Sequence, residues 1–386
     1  AAACAALLRA PGRKGEDLNS NPVVSIITAT LNSAKTLEET IQSVLRQTYP
    51  RIEYLIIDGG STDGTLDIIE RYRPRLARVV SEPDDGIYDA FNKGIAASSG
   101  EILYFLNSDD SLADSGVVEH FVRRFQEWPK VWAFYGNVRV WEGDREIILG
   151  RSLTADDFRR GEYPQQPAMF VRRDVFEKLG PFDTRYRIAG DIDLIARLYL
   201  APGERIRYDN RVVSNFRRGG VSSRYDTRLQ GMREAEDILR RHFGEAPDLA
   251  GTEIRNNALY RMWLECLLVN GRGITGVLKP GCDRVAIFGT RMTARYLLAD
   301  LRREGLTPVC FLDSNPHVQG REIEGVAVRP PDWLAKHPDA ADAVIVSVEN
   351  ERDAVLAEWL KDKIRAVLPV WTWKNLVLRA FLQKDR

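Results

Sequence analysis

The chain has 386 residues, more than one hydrophobic core usually supports, so two or three domains are expected and two fit the pattern best. Lys plus Arg equal Asp plus Glu at 55 each, which removes net charge as a reason to propose a nucleic-acid partner and makes any charge effect local. The four cysteines, Cys4, Cys266, Cys282 and Cys310, form neither a metal spacing nor a disulfide framework, which suits a reducing compartment with the cytoplasm as default.

In chain order, Ala1 to Ala10 is small and weakly apolar and lacks the charged and long apolar regions of a signal peptide. Pro11 to Asn21 is polar, so residues 1–21 are expected to be a disordered linker. Val23 to Thr30 is β-branched and apolar, as a parallel strand covered on both faces should be. It runs into Leu31-Asn32-Ser33 and then a helix with Leu37, Ile41, Val44 and Leu45 at helical spacing, stopped before Pro50. A second unit repeats the pattern: strand Ile52 to Ile57, tight loop Asp58-Gly59-Gly60-Ser61, helix Asp63 to Tyr72. Strands follow at Ala77 to Val80 and Ile102 to Leu106, with a helix at Ile87 to Ala97 between them. Strands alternating with helices imply a doubly wound, mostly parallel sheet with right-handed crossovers. The run Ile102 to Leu106 delivers Asn107, Ser108, Asp109 and Asp110 to the carboxyl end of a buried strand, where open α/β sheets place ligands. Two adjacent carboxylates there point to a metal and diphosphate site, although the same four residues are also good turn and helix-cap chemistry.

Four ordered stretches carry a resemblance: Val23 to Asn32, Ile57 to Thr65 (IDGGSTDGT), Ser81 to Gly94 (SEPDDGIYDAFNKG) and Asn107 to Asp110. Together they resemble family 2 glycosyltransferases of the GT-A fold, over roughly residues 23–225 and most of all bacterial enzymes that build exopolysaccharide, O-antigen or colanic-acid-type units. The resemblance implies an inverting, metal-dependent transfer of a sugar from a nucleotide-sugar donor, with UDP-sugars favoured over GDP- or dTDP-sugars, to a glycan or polyprenyl-diphosphate-linked hydroxyl. It also implies Mn²⁺ or Mg²⁺, which is typically held by one or two carboxylates plus the substrate's own phosphate oxygens.

Asp109 is the expected metal ligand. Asn107 stands where the family often has Asp, leaving it a ribose, phosphate or water-mediated part, with Ser108 and Asp110 beside it. Asp58 ends the second strand, where the resemblance puts a nucleobase contact; an Asp opening a Gly-rich turn needs no ligand to explain it. Thr28 and Thr30 alternate at the end of the first strand and, with Asn32, could line the nucleotide pocket, while strand propensity alone accounts for threonine there. The family often carries Arg before Asn92, but Phe91 stands here, so the basic duty falls to Lys93 or to none, Lys93 also suiting the local helix dipole. Asp63 reads as a helix cap.

Farther on, Val131 to Val140 reads as a strand, Pro164 to Arg173 resembles the family's acceptor-side segment, and Gln166 is its acceptor-side residue. Ala189-Gly190-Asp191-Ile192-Asp193 resembles the family's Glu-Asp-helix motif with Gly190 in place of Glu, which makes Asp191 the catalytic base. Asp191 and Asp193 lie ~200° apart on a helix and cannot serve one pocket together. The competing idea is that Asp191 only caps its helix, whose positive end would lower its pKa. Arg217 and Arg218, beside Gly219 and Gly220, either close over the diphosphate or form a solvated basic loop.

Residues 22–225 are thus expected to form the transferase domain, 226–280 a helical bridge, and 281–386 a smaller Rossmann-like α/β domain. In the last, Gly289-Thr290-Arg291 puts Arg291 where a dinucleotide fingerprint needs bare backbone, so NAD-type chemistry is not expected. The aromatic and basic tail, Val370 to Leu382, either packs on its own domain or touches a membrane surface. Self-pairing is left open. Two other functions stay in view. A nucleotidyltransferase would want a Gly-rich loop after the first strand, and Thr28 to Lys35 has no glycine. A non-catalytic nucleotide-binding scaffold would tolerate loss of Asp109 and Asp191.

Overall fold

The first strand is buried along its whole length, and its neighbours decide where a ligand can sit. The protein is described by a computed structural model over residues 21–142, 145–217, 220, 225–350, 352–364 and 368–382. Residues 1–20, Arg218 and Gly219, and residues 383–386, on which expectations were placed, lie outside the described residues. The chain divides into two compact units, 1–247 and 248–386.

The first unit opens with β1 (Val24–Thr30), α1 (Leu37–Leu45), β2 (Ile52–Asp58), α2 (Thr65–Tyr72), β3 (Arg78–Ser81), α3 (Ile87–Ala97) and β4 (Ile102–Asn107). The remainder is β5 (Ser111–Leu112), α4 (Val117–Glu127), β6 (Ala133–Glu142), β7 (Arg145–Leu149), α5 (Ala155–Arg159), β8 (Met169–Arg172), α6 (Asp174–Leu179), α7 (Gly190–Leu200), β9 (Ile206–Asn215) and α8 (Tyr225–Phe243). The sheet order is β3-β2-β1-β4-β8-β6-β9-β5, with β7 on β6. The four strands β3, β2, β1 and β4 are parallel, as the alternation of strands and helices requires. Beyond β4 the sheet turns mixed: β8 is antiparallel to β4 and β6, and β6 is parallel to β9.

Alternate residues of the central strands feed two separate cores. Ile26, Tyr104 and Leu106 pack with Leu37, Ile41 and Val44 of α1 and with Phe121 and Phe125 of α4. Ile27 and Phe105 pack on the other face with Tyr88, Phe91 and Ile95 of α3, Leu194 and Leu198 of α7, and Ile238 and Leu239 of α8. Each such buried side chain contributes roughly 1.5–3 kcal/mol, so slipping a strand by one residue would exchange the contents of both cores. Register therefore fixes the sheet's carboxyl edge: Thr30 lies beside Asp58, and Ala29 beside Asn107.

The second unit contains α9 (Leu249–Leu268), β10 (Arg284–Phe288), α10 (Met292–Arg303), β11 (Thr307–Leu312), β12 (Glu322–Ile323), β13 (Val326–Arg329), α11 (Trp333–Lys336), β14 (Ala343–Val346), α12 (Asp353–Ile364), β15 (Val370–Thr372) and α13 (Trp373–Leu382). Its sheet, β12-β13-β11-β10-β14-β15, is parallel except at β12–β13. The stretch expected as a helical bridge is divided between the units, α8 in the first and α9 in the second. On α13, Trp373, Leu376 and Val377 are buried in the unit's own core, while Leu378 and Leu382 are exposed. No helix among the described residues is long and apolar enough to cross a membrane.

Candidate active site

β4 stops at Asn107 because the chain turns there: Asp110 N–H donates to the Asn107 carbonyl at 3.2 Å. The turn is braced from α1, where the Thr40 hydroxyl, shared between the carbonyls of Ser108 and Asp110, lies 3.0 and 2.7 Å from them. Ser33 and Ser108 share a hydroxyl hydrogen bond at 2.7 Å, tying the β1 loop to the same turn. Asp110 is buried and inward-facing, accepting from Arg217 N–H at 3.0 Å and from the Asn107 amide at 3.3 Å. Burial and the neighbouring Asp109 charge push its carboxyl up to about 8. Burial also raises the Asp109 carboxyl, opposed by the Arg217 charge. A side chain at Gly220 would come within 2.6 Å of Asp109 Oδ2, so the bare backbone there passes directly beside that carboxylate. The Arg217 guanidinium itself pairs with Glu39 of α1 at 2.7 Å.

Two buried polar atoms at this edge have no hydrogen-bond partner: Asn107 Oδ1 and Thr30 Oγ1. Such atoms are uncommon in folded proteins and mark places where a ligand or water belongs. Among the described residues no group of three or more His, Cys, Asp or Glu could cage a cation. One carboxylate, an amide oxygen and substrate phosphates suit a Mg²⁺ or Mn²⁺ that keeps much of its shell from elsewhere, so the residues fit the implied metal.

At the neighbouring strand end, Asp58 is fully buried and organises its own loop. It accepts from Gly60 N–H at 3.1 Å, Ser61 N–H at 3.1 Å, Ser81 Oγ at 2.7 Å and the Ser61 hydroxyl. Asn32, at φ 50°, joins the two loops: its N–H donates to Ser61 Oγ at 2.8 Å and its Oδ1 accepts from Thr62 N–H at 2.9 Å. Asp63 accepts from Ala34 N–H at 3.1 Å and from Thr65 N–H at 3.1 Å, a bracing part in keeping with a cap. Thr28 points into the core and meets the Tyr54 hydroxyl at 3.2 Å, so it is Thr30 that reaches the edge.

The second acidic corner is built from α3 and α7. Asp191 sits in the first turn of α7, and the Tyr88 hydroxyl lies 2.7 Å from its Oδ1. Glycine is required at 190, since a Cβ there would stand 2.8 Å from the Tyr88 ring. Burial raises the Asp191 carboxyl despite the helix end and the Tyr88 hydrogen bond, so the sign expected from the helix dipole alone is reversed. From α8, Glu234 gathers the loop before it, accepting from the N–H groups of Arg187, Ile188 and Ala189 at 3.1, 2.8 and 2.9 Å. Asp193 is turned away and paired with Arg197 and His242, each at 2.8 Å.

Asn92 has both ends of its amide on the Phe182 backbone, at 2.9 Å each. Lys93 bridges Glu82 and Asp89 at 3.0 and 3.3 Å, so its charge is engaged locally. Gln166 donates to the Phe105 carbonyl at 2.8 Å, two residues before Asn107. The rings of Tyr88, Phe182 and Phe105 form a ladder with centroids 5.5 and 5.1 Å apart. It connects the partner of Asp191 with the strand that ends just before Asp109. Sequence reasoning passed over Tyr88, although it lies inside a quoted stretch, and over Thr40 and Glu234, for which no local pattern speaks.

In the second unit the corresponding turn is occupied from within. Gly289, at φ 104°, admits Ser347, whose hydroxyl donates to the Phe288 carbonyl at 2.8 Å. Thr290 donates to Asp313 at 2.6 Å, and Thr293 at the start of α10 hydrogen-bonds Glu349.

The profile of the family described as "Glycosyl transferase family 2" matches residues 25–180. A protein of Mycobacterium bovis named "PGL/p-HBAD biosynthesis glycosyltransferase" is 35% identical over 212 residues, 52% of this chain and 80% of its own length. An uncharacterized glycosyltransferase of Nostoc is 30% identical over 184 residues, covering 44% of this chain and 56% of its own. Among solved structures, a Pyrobaculum calidifontis mannosyltransferase in complex with GDP-Man and Mn²⁺ aligns over 77% of this chain and 84% of its own, at 20% identity and a TM-score of 0.48. S. aureus TarS 1-349 in complex with UDP-GlcNAc aligns over 67% and 76%, at 19% identity and a TM-score of 0.47.

Proposed function

The chain belongs to glycosyl transferase family 2, whose members move sugars from nucleotide donors, and from that premise we propose an inverting, metal-assisted transfer to a hydroxyl acceptor in which Asp109 serves the leaving diphosphate and Asp191 the incoming alcohol. Both carboxyls are raised by burial, and the Tyr88–Phe182–Phe105 ladder runs from the hydrogen-bond partner of Asp191 to the strand that ends just before Asp109. That ladder is the observation that carries the reading.

Asp109 would hold Mn²⁺ or Mg²⁺, which when bound supplies positive charge to the diphosphate as it leaves. Thr30 Oγ1 and Asn107 Oδ1, the partnerless buried acceptors, take up donor hydroxyls or ordered water. Asp58 and Asn32 act one step back, fixing the loops against which the base and ribose rest. Asp191 accepts the proton of the acceptor hydroxyl while that oxygen bonds to the anomeric carbon and the carbon–oxygen bond to the diphosphate breaks. One base on one face gives inversion, and Asp193 cannot supply a second carboxylate because Arg197 and His242 hold it. The donor is a UDP-, GDP- or dTDP-sugar, UDP first, and the acceptor a glycan or polyprenyl-diphosphate-linked hydroxyl. Relatives named for PGL/p-HBAD biosynthesis support a biosynthetic rather than a degradative role.

The test is the Asp191→Asn variant assayed against a panel of nucleotide sugars with Mn²⁺. Turnover should fall by roughly 10²–10⁴-fold while stabilisation by the matching nucleoside diphosphate with Mn²⁺ persists. Wild-type turnover in that variant removes Asp191 from the role.

A further inference from the structure

The Tyr88 hydroxyl is placed between two acceptors, Asp191 Oδ1 and the Ile188 carbonyl, each at 2.7 Å. A phenol has one proton, and a carbonyl oxygen can only accept. When Asp191 is ionised, Tyr88 O–H donates to it. Once Asp191 has taken the acceptor proton on a lone pair that does not face Tyr88, Oδ1 goes on accepting from the Tyr88 hydroxyl. We propose that Tyr88 is the positioning residue for the base, a donor that keeps Asp191 hydrogen-bonded and in one orientation both before and after it takes the acceptor proton. The inference rests on the assignment of Asp191 as base.

Three features of the fold hold the hydroxyl in that place. The Tyr88 ring is clamped by Phe91 and Phe182, at 6.3 and 5.5 Å between centroids, and lies on the bare backbone of Gly190. The Ile188 carbonyl is fixed because the Ile188 N–H is held by Glu234. Arg187 donates to the Asp85 carbonyl at 2.5 Å, locking the start of α3 to the same loop. Tyr88 is itself kept protonated, its hydroxyl raised well above its ordinary value by burial and by the Asp191 charge. The other groups bearing on the pair are Glu234 and, with Asp191 acting on it, Tyr163; along α7 itself, Asp193 is engaged by Arg197 and His242.

The test uses the full chain with Mn²⁺ and a panel of UDP-, GDP- and dTDP-sugars, following release of nucleoside diphosphate with water as acceptor. Tyr88→Phe keeps the ring and removes only the hydroxyl. The ionised carboxylate loses a donor, so its pKa rises, and the acidic limb of the rate should move up by about one pH unit. The maximal rate should drop roughly 10-fold or more, with the donor KM within about twofold of wild type. In an Asp191→Asn background the same change should have no further effect, because Tyr88 acts through that carboxylate. An unmoved limb in Tyr88→Phe alongside an inactive Asp191→Asn overturns this inference and leaves the base assignment standing. An active Asp191→Asn overturns both. A donor KM raised as much as the rate falls would place Tyr88 in the donor site and likewise overturn it.

Discussion

The two parallel sheets of this protein reach their carboxyl edges with much the same residues and put them to different ends. In the first unit, Asp109 follows the end of β4 with its carboxyl raised by burial, and Asn107 Oδ1 and Thr30 Oγ1 at the strand ends are without partners. In the second, the polar groups at the β10 turn answer one another: Thr290 donates to Asp313, Ser347 to the Phe288 carbonyl, and Glu349 accepts from Tyr260 at 2.8 Å. Both edges lie where parallel strands end, but among the described residues only the first holds buried polar atoms without a partner. A sheet edge is a place where a site can form, and unsatisfied chemistry decides whether it does.

That contrast can be broken most directly by removing one acid from each edge. Asp109→Ala should lower metal-dependent sugar transfer by roughly 10²–10³-fold, whereas Asp313→Ala should leave it within about twofold. Equal losses would mean that the second edge takes part in catalysis. Gly190→Ala should cost about 1–3 kcal/mol by overpacking against Tyr88, read as a lowered Tm together with reduced turnover. An unchanged Tm would show that the ring has room to move.

A finer test is the acidic limb of the rate. As the proposed base Asp191 would act only when ionised, and burial raises its carboxyl, so activity should fall as pH drops through a midpoint above the ordinary carboxylate value of about 4. A midpoint at or below that value would mean that the charged form is favoured at this edge. The smallest effect concerns stability. Because the folded protein holds the Asp191 proton more tightly than the unfolded chain does, ionisation makes stability fall as pH rises from the unfolded value through the folded one. Asp191→Asn removes that loss, so its Tm above the window should equal or exceed that of wild type, by no more than about 1 kcal/mol in stability. A clearly lower Tm would show that the ionised carboxylate is structurally favourable.

The β1-to-β4 half of the sheet was legible because each of its strands carries an unbroken apolar run and each crossover has a helical stripe. The helix expected at Ile87 to Ala97 is the one observed. The mixed half was harder to read. β9 is only half-buried and reads IRYDNRVVSN, with little to distinguish it from a loop, and β8, Met169–Arg172, is only four residues long. The acids at 109 and 191 stood out through their motifs. What local spacing could not tell was where the other candidates point: Thr28 into the core, Asn92 onto the Phe182 backbone, Lys93 between two acids and Arg217 onto Glu39. Those directions are set by partners up to 178 positions away in sequence, as with Arg217 and Glu39.

The grip of Glu234 on the amides of 187–189 bears on how the molecule can be cut. The family profile ends at residue 180, short of Asp191, and the glutamate that frames the following loop lies on a helix running to Phe243. Any shortened version meant to retain chemistry must therefore extend through that helix. A fragment trimmed to the recognisable motifs would keep the turn at Asp109 and release Asp191 from its mooring.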